Sequence, residues 1–167
     1  MKFTSGTTYK KPNLALLFSD ATREDVDTMR PTKEVADRLF EQYWLNVHPI
    51  SRTVHKPSLE QMYREIYGED PSTQLPNSAY ALVHASLFAG LVSMDQDIYI
   101  EHFGGSKTTR ASFEDNMQRL TEVSLGCCSL AHTKNFRALQ ALVGYLVSVQ
   151  YVSSFSAENH PTLARQP

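Results

Sequence analysis

The stretch that decides the fold is residues 78–94, "SAYALVHASLFAGLVSM", which contains no charged residue. A helix that is small or apolar on nearly every side must be enclosed by other helices rather than lie on a surface. Small residues such as Ala81, Ala89 and Gly90 allow the backbones of neighbouring helices to come close. We therefore predict a helix over about 77–94 that neighbouring helices enclose.

A second stretch without charge, residues 138–157, overlaps most of a helix predicted over about 135–154. It is also apolar on most sides, so we expect it to be surrounded too. Both stretches are long enough to resemble a weak membrane span. Polar residues such as His84 and Gln150 occur throughout them, however, and this is more typical of buried helices. We expect no contact with a membrane.

Three further helices are indicated by periodic apolar residues and by start and stop signals. The first begins at Thr32, a predicted N-cap, and should end at Pro49, because the residue before a proline is disfavoured in the α region. The second should begin at Ser58, whose "SLEQ" pattern has the form of a capping box, and end at Gly68. An amphipathic helix follows over about 109–125.

The remaining segments are predicted to be connections or termini. These are residues 1–30 as a flexible lead-in, 69–77 and 95–107 as loops, and 155–167 as a disordered tail. The ordered domain is then 31–154. No run alternates with the two-residue period of a strand, so the predicted fold is all-α, an irregular bundle of about five helices.

Five helices can enclose one central helix but hardly two. We therefore predict exposed apolar surface that a protein partner, self-association or sequence absent from this chain would cover. The five helices are expected to be part of a larger helical body.

Composition excludes several classes of function. The chain has 167 residues, of which 41% are hydrophobic and 20% charged, with a net charge of −2. Lys10 and Lys11 form its only adjacent basic pair, so the basic face that nucleic acid requires is missing. Cys127 and Cys128 are its only cysteines and are adjacent, which favours a reducing compartment, nuclear or cytoplasmic, over a disulfide scaffold.

The segment 48–57, "HPISRTVHKP", raises the question of a metal or proton-relay site at His48 and His55. Metal sites need three or four converging ligands, and no Cys, Asp or Glu lies between Asn46 and Ser58. His102 or His132 would have to join them in space. The favoured interpretation is a corner between helices, in which the imidazoles bond to backbone groups freed there.

Other chemical motifs are weaker still. The "GGS" at 104–106 lacks the context of a phosphate-binding loop, and Cys127 and Cys128 follow a helix end, where no dipole lowers a thiol pKa. Glu60, Glu65 and Glu69 lack the companion residues of a carboxylate metal site. We assign no catalytic, cofactor-binding or metal-ligating residue and expect no enzyme.

Residues 31–67 resemble the opening of the fungal-specific transcription factor domain, the middle homology region of fungal zinc-cluster regulators. The residues that stand in its pattern are Pro31, Glu34, Ala36, Leu39, Tyr43, His48, Pro49, Ile50, Val54, His55, Pro57, Ser58 and Leu59. The later runs "ALVHASLFAGLVSM" and "LQALVGY" are similar to two further helices of that domain.

The resemblance implies a regulatory module in the nucleus that acts through intramolecular or protein–protein contacts. In this family zinc and DNA are bound by an N-terminal six-cysteine cluster, which is missing here, so DNA contact would be indirect and no cofactor is expected. Family domains continue for more helices after "LQAL", and we expect a fragment or a shortened member.

Two other functions stay open. The first is a stand-alone helical dimerisation or adaptor protein derived from such a regulator. The second is a small metal-dependent enzyme that uses His48 and His55.

Overall fold

A computed structural model describes residues 22–68, 75–130 and 134–158, and it contains helices and no strand within those residues. The helices are α1 (Arg23–Met29), α2 (Lys33–Gln42), a π-helical turn (Tyr43–Val47), α3 (His48–Ser51), α4 (Lys56–Tyr67), α5 (Asn77–Val92), α6 (Gln96–Phe103), α7 (Lys107–Gly126) and α8 (Phe136–Glu158). The predicted all-α class is confirmed. Because α2, the π-helical turn and α3 are continuous, the described residues hold seven helices rather than about five.

Helix α5 is the centre of the molecule, and the prediction that it would be enclosed is confirmed. It packs against α2, α4, α7 and α8, and every residue from Ser78 to Val92 is buried. Fully burying a side chain such as Leu87, Phe88 or Leu91 contributes about 1.5–3 kcal/mol to folding. The absence of charge in α5 is therefore explained by its position, since each charged residue there would need a buried partner.

Gly90 is the point at which α5 and α2 touch backbone to backbone. A Cβ atom built on Gly90 would overlap the carbonyl oxygen of Leu39 and lie 3.1 Å from the amide nitrogen of Tyr43. One turn later, the Asn46 side-chain amide donates to the Ser93 carbonyl at 3.1 Å. The predicted close approach at this glycine is thus confirmed, and it lies where α2 passes into the π-helical turn.

The helix that begins at Lys33 does not stop at Pro49, so that prediction was wrong. The His48 amide donates to the Tyr43 carbonyl five residues earlier, which restarts the helix as α3. Pro49 then occupies the first turn of α3, where its missing N–H costs no helical hydrogen bond. The helix ends instead at Arg52, whose φ of 42° is left-handed.

Helix α4 begins three residues earlier than the predicted capping box. His55 is the N-cap and Pro57 lies in the first turn, so Ser58 is already helical. The Gln61 side chain donates forward to Glu65 instead of reaching back. Fixed proline geometry, which favours helix initiation, outweighs the serine signal here. Gly68 is the C-cap, as predicted.

Helices α2 and α4 are joined by an aromatic stack and a short hydrogen bond. The Phe40 and Tyr63 rings lie 4.1 Å apart and nearly parallel, and Tyr67 continues the stack at 5.1 Å. The Tyr63 hydroxyl donates to Asp37 at 2.6 Å, and the hydrogen bond from Lys33 to the same carboxylate helps to lower the pKa of Asp37 despite its desolvation.

Two short helices fall in stretches predicted to be a flexible lead-in with at most one short turn and a loop or frayed turn. Helix α1 lies in the predicted lead-in, with a capping box between Thr22 and Asp25, and it buries Val26 against α7. Helix α6 replaces the predicted loop after residue 95 and buries Tyr99. Both helices are too short, at seven and eight residues, for periodicity over a long window to detect them. Residues 1–21 and most of the 69–77 loop lie outside the described residues.

Helix α7 matches its prediction closely, with Met117, Leu120 and Ser124 buried and Phe113 packed against the core. Helix α8 extends to Glu158, beyond the predicted end of the domain at 154. The rest of the predicted tail, residues 159–167, lies outside the described part of the chain.

Candidate interaction surface

The corner at 48–57 uses its two histidines locally. His48 Nε2 lies 3.3 Å from the Val54 carbonyl oxygen, and His55 Nδ1 lies 2.9 Å from the Ser58 hydroxyl. Trp44 packs beneath the corner, with its ring 4.7 Å from the His48 ring and 5.0 Å from the Lys56 ammonium. His48 thus bonds a backbone group of the corner, as predicted, whereas His55 bonds a side chain.

The described residues place no third ligand beside these histidines. Within the same residues, no group of three or more His, Cys, Asp and Glu side chains is arranged to hold a metal ion. His102 lies instead 2.7 Å from an Arg38 guanidinium nitrogen. His132 lies outside the described residues.

Cys127 and Cys128 lie at the end of α7 and are not joined in a disulfide. Burial raises the pKa of Cys127, and it raises the pKa of Cys128 to about 12. The Cys128 thiol also contacts the Ser124 carbonyl at 3.4 Å. A thiol with a raised pKa holds little thiolate at neutral pH and is a poor nucleophile.

A buried polar pair, His84 and Ser124, joins α5 to α7, and the sequence did not single it out as a site. His84 Nδ1 lies 2.7 Å from Ser124 Oγ, and that hydroxyl donates to the Leu120 carbonyl at 2.8 Å. Because the Ser124 proton is directed to Leu120, the proton between the two side chains belongs to His84 Nδ1. The signal available in the sequence was a lone histidine within a charge-free helix.

This pair cannot act as a base and a nucleophile. His84 is fully buried, and its Nε2 atom has no hydrogen-bond partner. Burial, with a smaller contribution from the positive charge of Arg30, lowers the pKa of His84 to about 3. The basic lone pair of His84 is on Nε2, whereas Nδ1, which carries the proton, faces Ser124. Both side chains lie inside the core, where no substrate can reach them. The pair is a structural link between two helices.

Helix α8 carries the most unusual surface of the molecule. One side is buried, with Ala138, Ala141, Tyr145 and Val149 against α5 and α7, and the Tyr145 hydroxyl donates to Glu122. The other side exposes six large apolar residues, namely Phe136, Leu139, Val143, Leu146, Val147 and Tyr151. We call these six residues the α8 face.

The prediction that α8 would be surrounded was therefore wrong, because α5 takes the enclosed position and α8 lies on one flank of it. The companion prediction, that two such helices would leave apolar surface uncovered, is confirmed for the described residues.

A cleft adjoins the α8 face on the side of the corner. It has a volume of about 350 Å³ and is lined by Val54, Leu59, Met62, Leu82 and Phe136, with His55, Arg137 and Gln140 among its polar residues. Gln140 crosses the cleft and donates to the Thr53 carbonyl. Beyond this bridge, a smaller cavity of about 70 Å³ lies between Val47, Val54, Val143 and Val147.

The α8 face is apolar, exposed and without charge. No charged residue occurs from 138 to 157, so the α8 face has neither the basic groups that hold phosphate nor the acidic groups that hold cations. Contiguous exposed apolar surface of this kind marks sites where proteins bind other proteins or small apolar ligands. None of the helices in the described residues has the length and apolarity that a membrane crossing requires.

Comparison with known proteins shows a distant similarity to a fungal regulator of transcription. A fungal transcription factor is 25% identical to the chain over 137 residues, which cover 82% of the chain. This relative is the Aurofusarin cluster transcription factor aurR2 of Gibberella zeae. The chain is thus distantly related to a fungal transcription factor, and the matched region spans about a fifth (20%) of that relative. No family model and no solved structure matches the chain.

Proposed function

We propose that this chain is a regulatory module of a fungal zinc-cluster transcription factor, working in the nucleus without touching DNA itself. The distant relationship to aurR2 supports the class of protein. The observation that carries the mechanism is the α8 face, which is apolar, uncharged and exposed on an otherwise well-packed body. Such a face works by packing against another protein surface.

The mechanism follows from the energetics of this surface. The six side chains expose on the order of 600 Å² together, which at about 25 cal/mol per Å² gives roughly 15 kcal/mol before the costs of association. A surface with this driving force can hold an activation segment or a partner domain in a masked state. A competing contact then releases it, which shifts the population between masked and exposed states.

The test is a reporter fusion. The chain is inserted between a heterologous DNA-binding domain and a constitutive activation segment in yeast. We expect the insert to lower reporter output by about threefold or more relative to a flexible insert of equal length. Introducing Val143→Glu with Val147→Glu should restore the output, because two buried charges abolish apolar packing.

The matched control is Ile100→Glu, which also places a charge at an exposed apolar position, 46% exposed, but on α6. It should keep the repression of the unmodified insert. Equal output from the unmodified chain, the double variant and the Ile100→Glu control would refute the proposal, provided that immunoblots show equal protein levels.

A stand-alone dimerisation or adaptor protein is the second candidate. The observation that favours it is the regular spacing of four residues on the α8 face, Leu139, Val143, Val147 and Tyr151, which suits the pairing of one helix with another. Co-purification with a full-length zinc-cluster regulator would support this candidate, and failure to bind any such regulator would count against it.

A further inference from the structure

Four residues of the α8 face form a straight ridge along the helix. Leu139, Val143, Val147 and Tyr151 follow one another at intervals of four residues and are 45%, 49%, 63% and 52% exposed. Residues four apart lie in a row on a helix surface, and such rows pack into the grooves between the rows of another helix. The ridge is therefore already formed for helix pairing.

The ridge is also complementary to itself. A two-fold axis through its midpoint, level with residue 145, would place Val143 opposite Val147 of a second copy and Leu139 opposite Tyr151. Symmetric dimers use the same patch on both subunits. If residue i of one subunit contacts residue j of the other, then residue j of the first also contacts residue i of the second. A row of equally spaced apolar residues satisfies this symmetry, because each residue of the row then has an apolar counterpart in the second copy.

We propose that α8 pairs antiparallel with α8 of a second copy of this chain. The inference rests on the proposed function in one respect, namely that the α8 face works by protein contact. It adds that the partner is a second copy of the chain. Like charges do not oppose the pairing, because residues 138–157 contain no charged side chain.

The buried area agrees with a specific dimer. Each copy exposes roughly 600 Å² on the α8 face, so a symmetric pair would bury up to roughly 1,200 Å² from it, which reaches the lower end of the range for stable interfaces. The exposed rim of the adjoining cleft, with Arg137 and Gln140, adds to this area.

Sedimentation of the whole purified chain over a range of concentrations tests this inference. We expect a species of twice the 18.9 kDa chain mass that dissociates on dilution. Val147→Glu should raise the dissociation constant by about 100-fold or more, since it places a charge at the centre of the ridge. Ile100→Glu should leave it unchanged. Circular dichroism establishes whether each variant is folded. If Val147→Glu does not fold, Val143→Lys takes its place.

Cross-linking tests the register. In a Val143→Cys/Val147→Cys variant, the two introduced thiols should face each other across the axis and form a disulfide-linked dimer. Val147→Cys alone should form the disulfide-linked dimer more slowly. In the proposed register residue 147 faces residue 143 of the second copy, so the two introduced thiols of this single variant are a helical turn apart.

A chain that stays monomeric at every concentration would overturn the inference. So would a dimer that Val147→Glu leaves intact. If the chain is monomeric but the reporter fusion still responds to the α8 variants, the occupant is a different protein and the proposed function stands. A dimer without any reporter effect would instead refute the proposed function.

Discussion

At the scale of the residue, His84 shows how one buried polar group is tolerated in an apolar core. Its Nδ1–H is satisfied by Ser124, while its Nε2 lone pair has no hydrogen-bond partner. An unpartnered acceptor costs about 1–3 kcal/mol, and an unpartnered cation would cost far more. The folded protein therefore keeps this imidazole neutral.

The stability of the protein should consequently depend on pH through His84. The pKa of about 3 in the folded state is below the value of about 6.5 in the unfolded chain, so between these pH values only the unfolded state binds the proton. Stability is then fully present above pH 6.5 and falls as the pH is lowered, by up to about 1.4 kcal/mol per pH unit. Urea unfolding at a series of pH values measures this slope.

His84→Gln supplies the comparison, because glutamine does not titrate and all carboxylates remain. The variant should lose less stability than the wild type between pH 6.5 and pH 4. Parallel profiles for the two proteins would show that His84 takes up its proton in the folded state as readily as in the unfolded chain.

Two glycines in helix interiors have opposite surroundings. A Cβ on Gly90 would overlap the backbone of α2, whereas a Cβ on Gly144 would only touch the Ala85 Cβ at 4.0 Å. We expect Gly90→Ala to destabilise the fold by roughly 2 kcal/mol or more, because two helices must move apart. Gly144→Ala should be neutral or stabilising by up to about 1 kcal/mol. Thermal unfolding of both variants measures the difference, and equal melting temperatures would disprove the tight crossing.

At the scale of the element, the continuous helix from α2 to α3 shows that a proline need not end a helix. The π-helical turn shifts the hydrogen-bonding pattern so that Pro49 falls in a first turn. A proline signal in a sequence cannot distinguish a stop from such a restart, because the difference depends on how the preceding turn packs against α5.

The corner that follows should depend on His48 far more than on His55. His48 is half-buried, contacts Trp44 and holds the Val54 carbonyl, while His55 is exposed. We expect His48→Ala to cost roughly 1–2 kcal/mol of unfolding free energy and His55→Ala less than about 0.5 kcal/mol. Chemical denaturation of the two variants gives both values. A larger loss for His55→Ala would indicate a role for that side chain beyond the corner.

At the scale of the whole molecule, much of the architecture could be predicted from patterns of charge and size. The charge-free stretch at 78–94 predicted an enclosed helix, and the excess of apolar helices indicated uncovered surface. The sequence could not tell which apolar helix would be enclosed, because α5 and α8 are alike in composition and only their packing separates them. Nor could it identify α1 and α6, which are only seven and eight residues long.

The candidate site was predictable in kind but not in place. The sequence indicated exposed apolar surface without locating it, and only the structure shows that it lies along one side of α8. His84 and Ser124 are forty residues apart in the chain, so no local pattern joins them.

A glutamate scan of the exposed apolar positions, read by the reporter fusion, tests most directly whether the α8 face is the working surface of the protein. Single substitutions at Leu139, Val143 and Val147 should each restore reporter output. The same change at Leu45, Ile50 and Ile100, which are exposed outside α8, should leave the repression intact. Restoration of output by the second group as strongly as by the first would contradict the assignment of this function to α8.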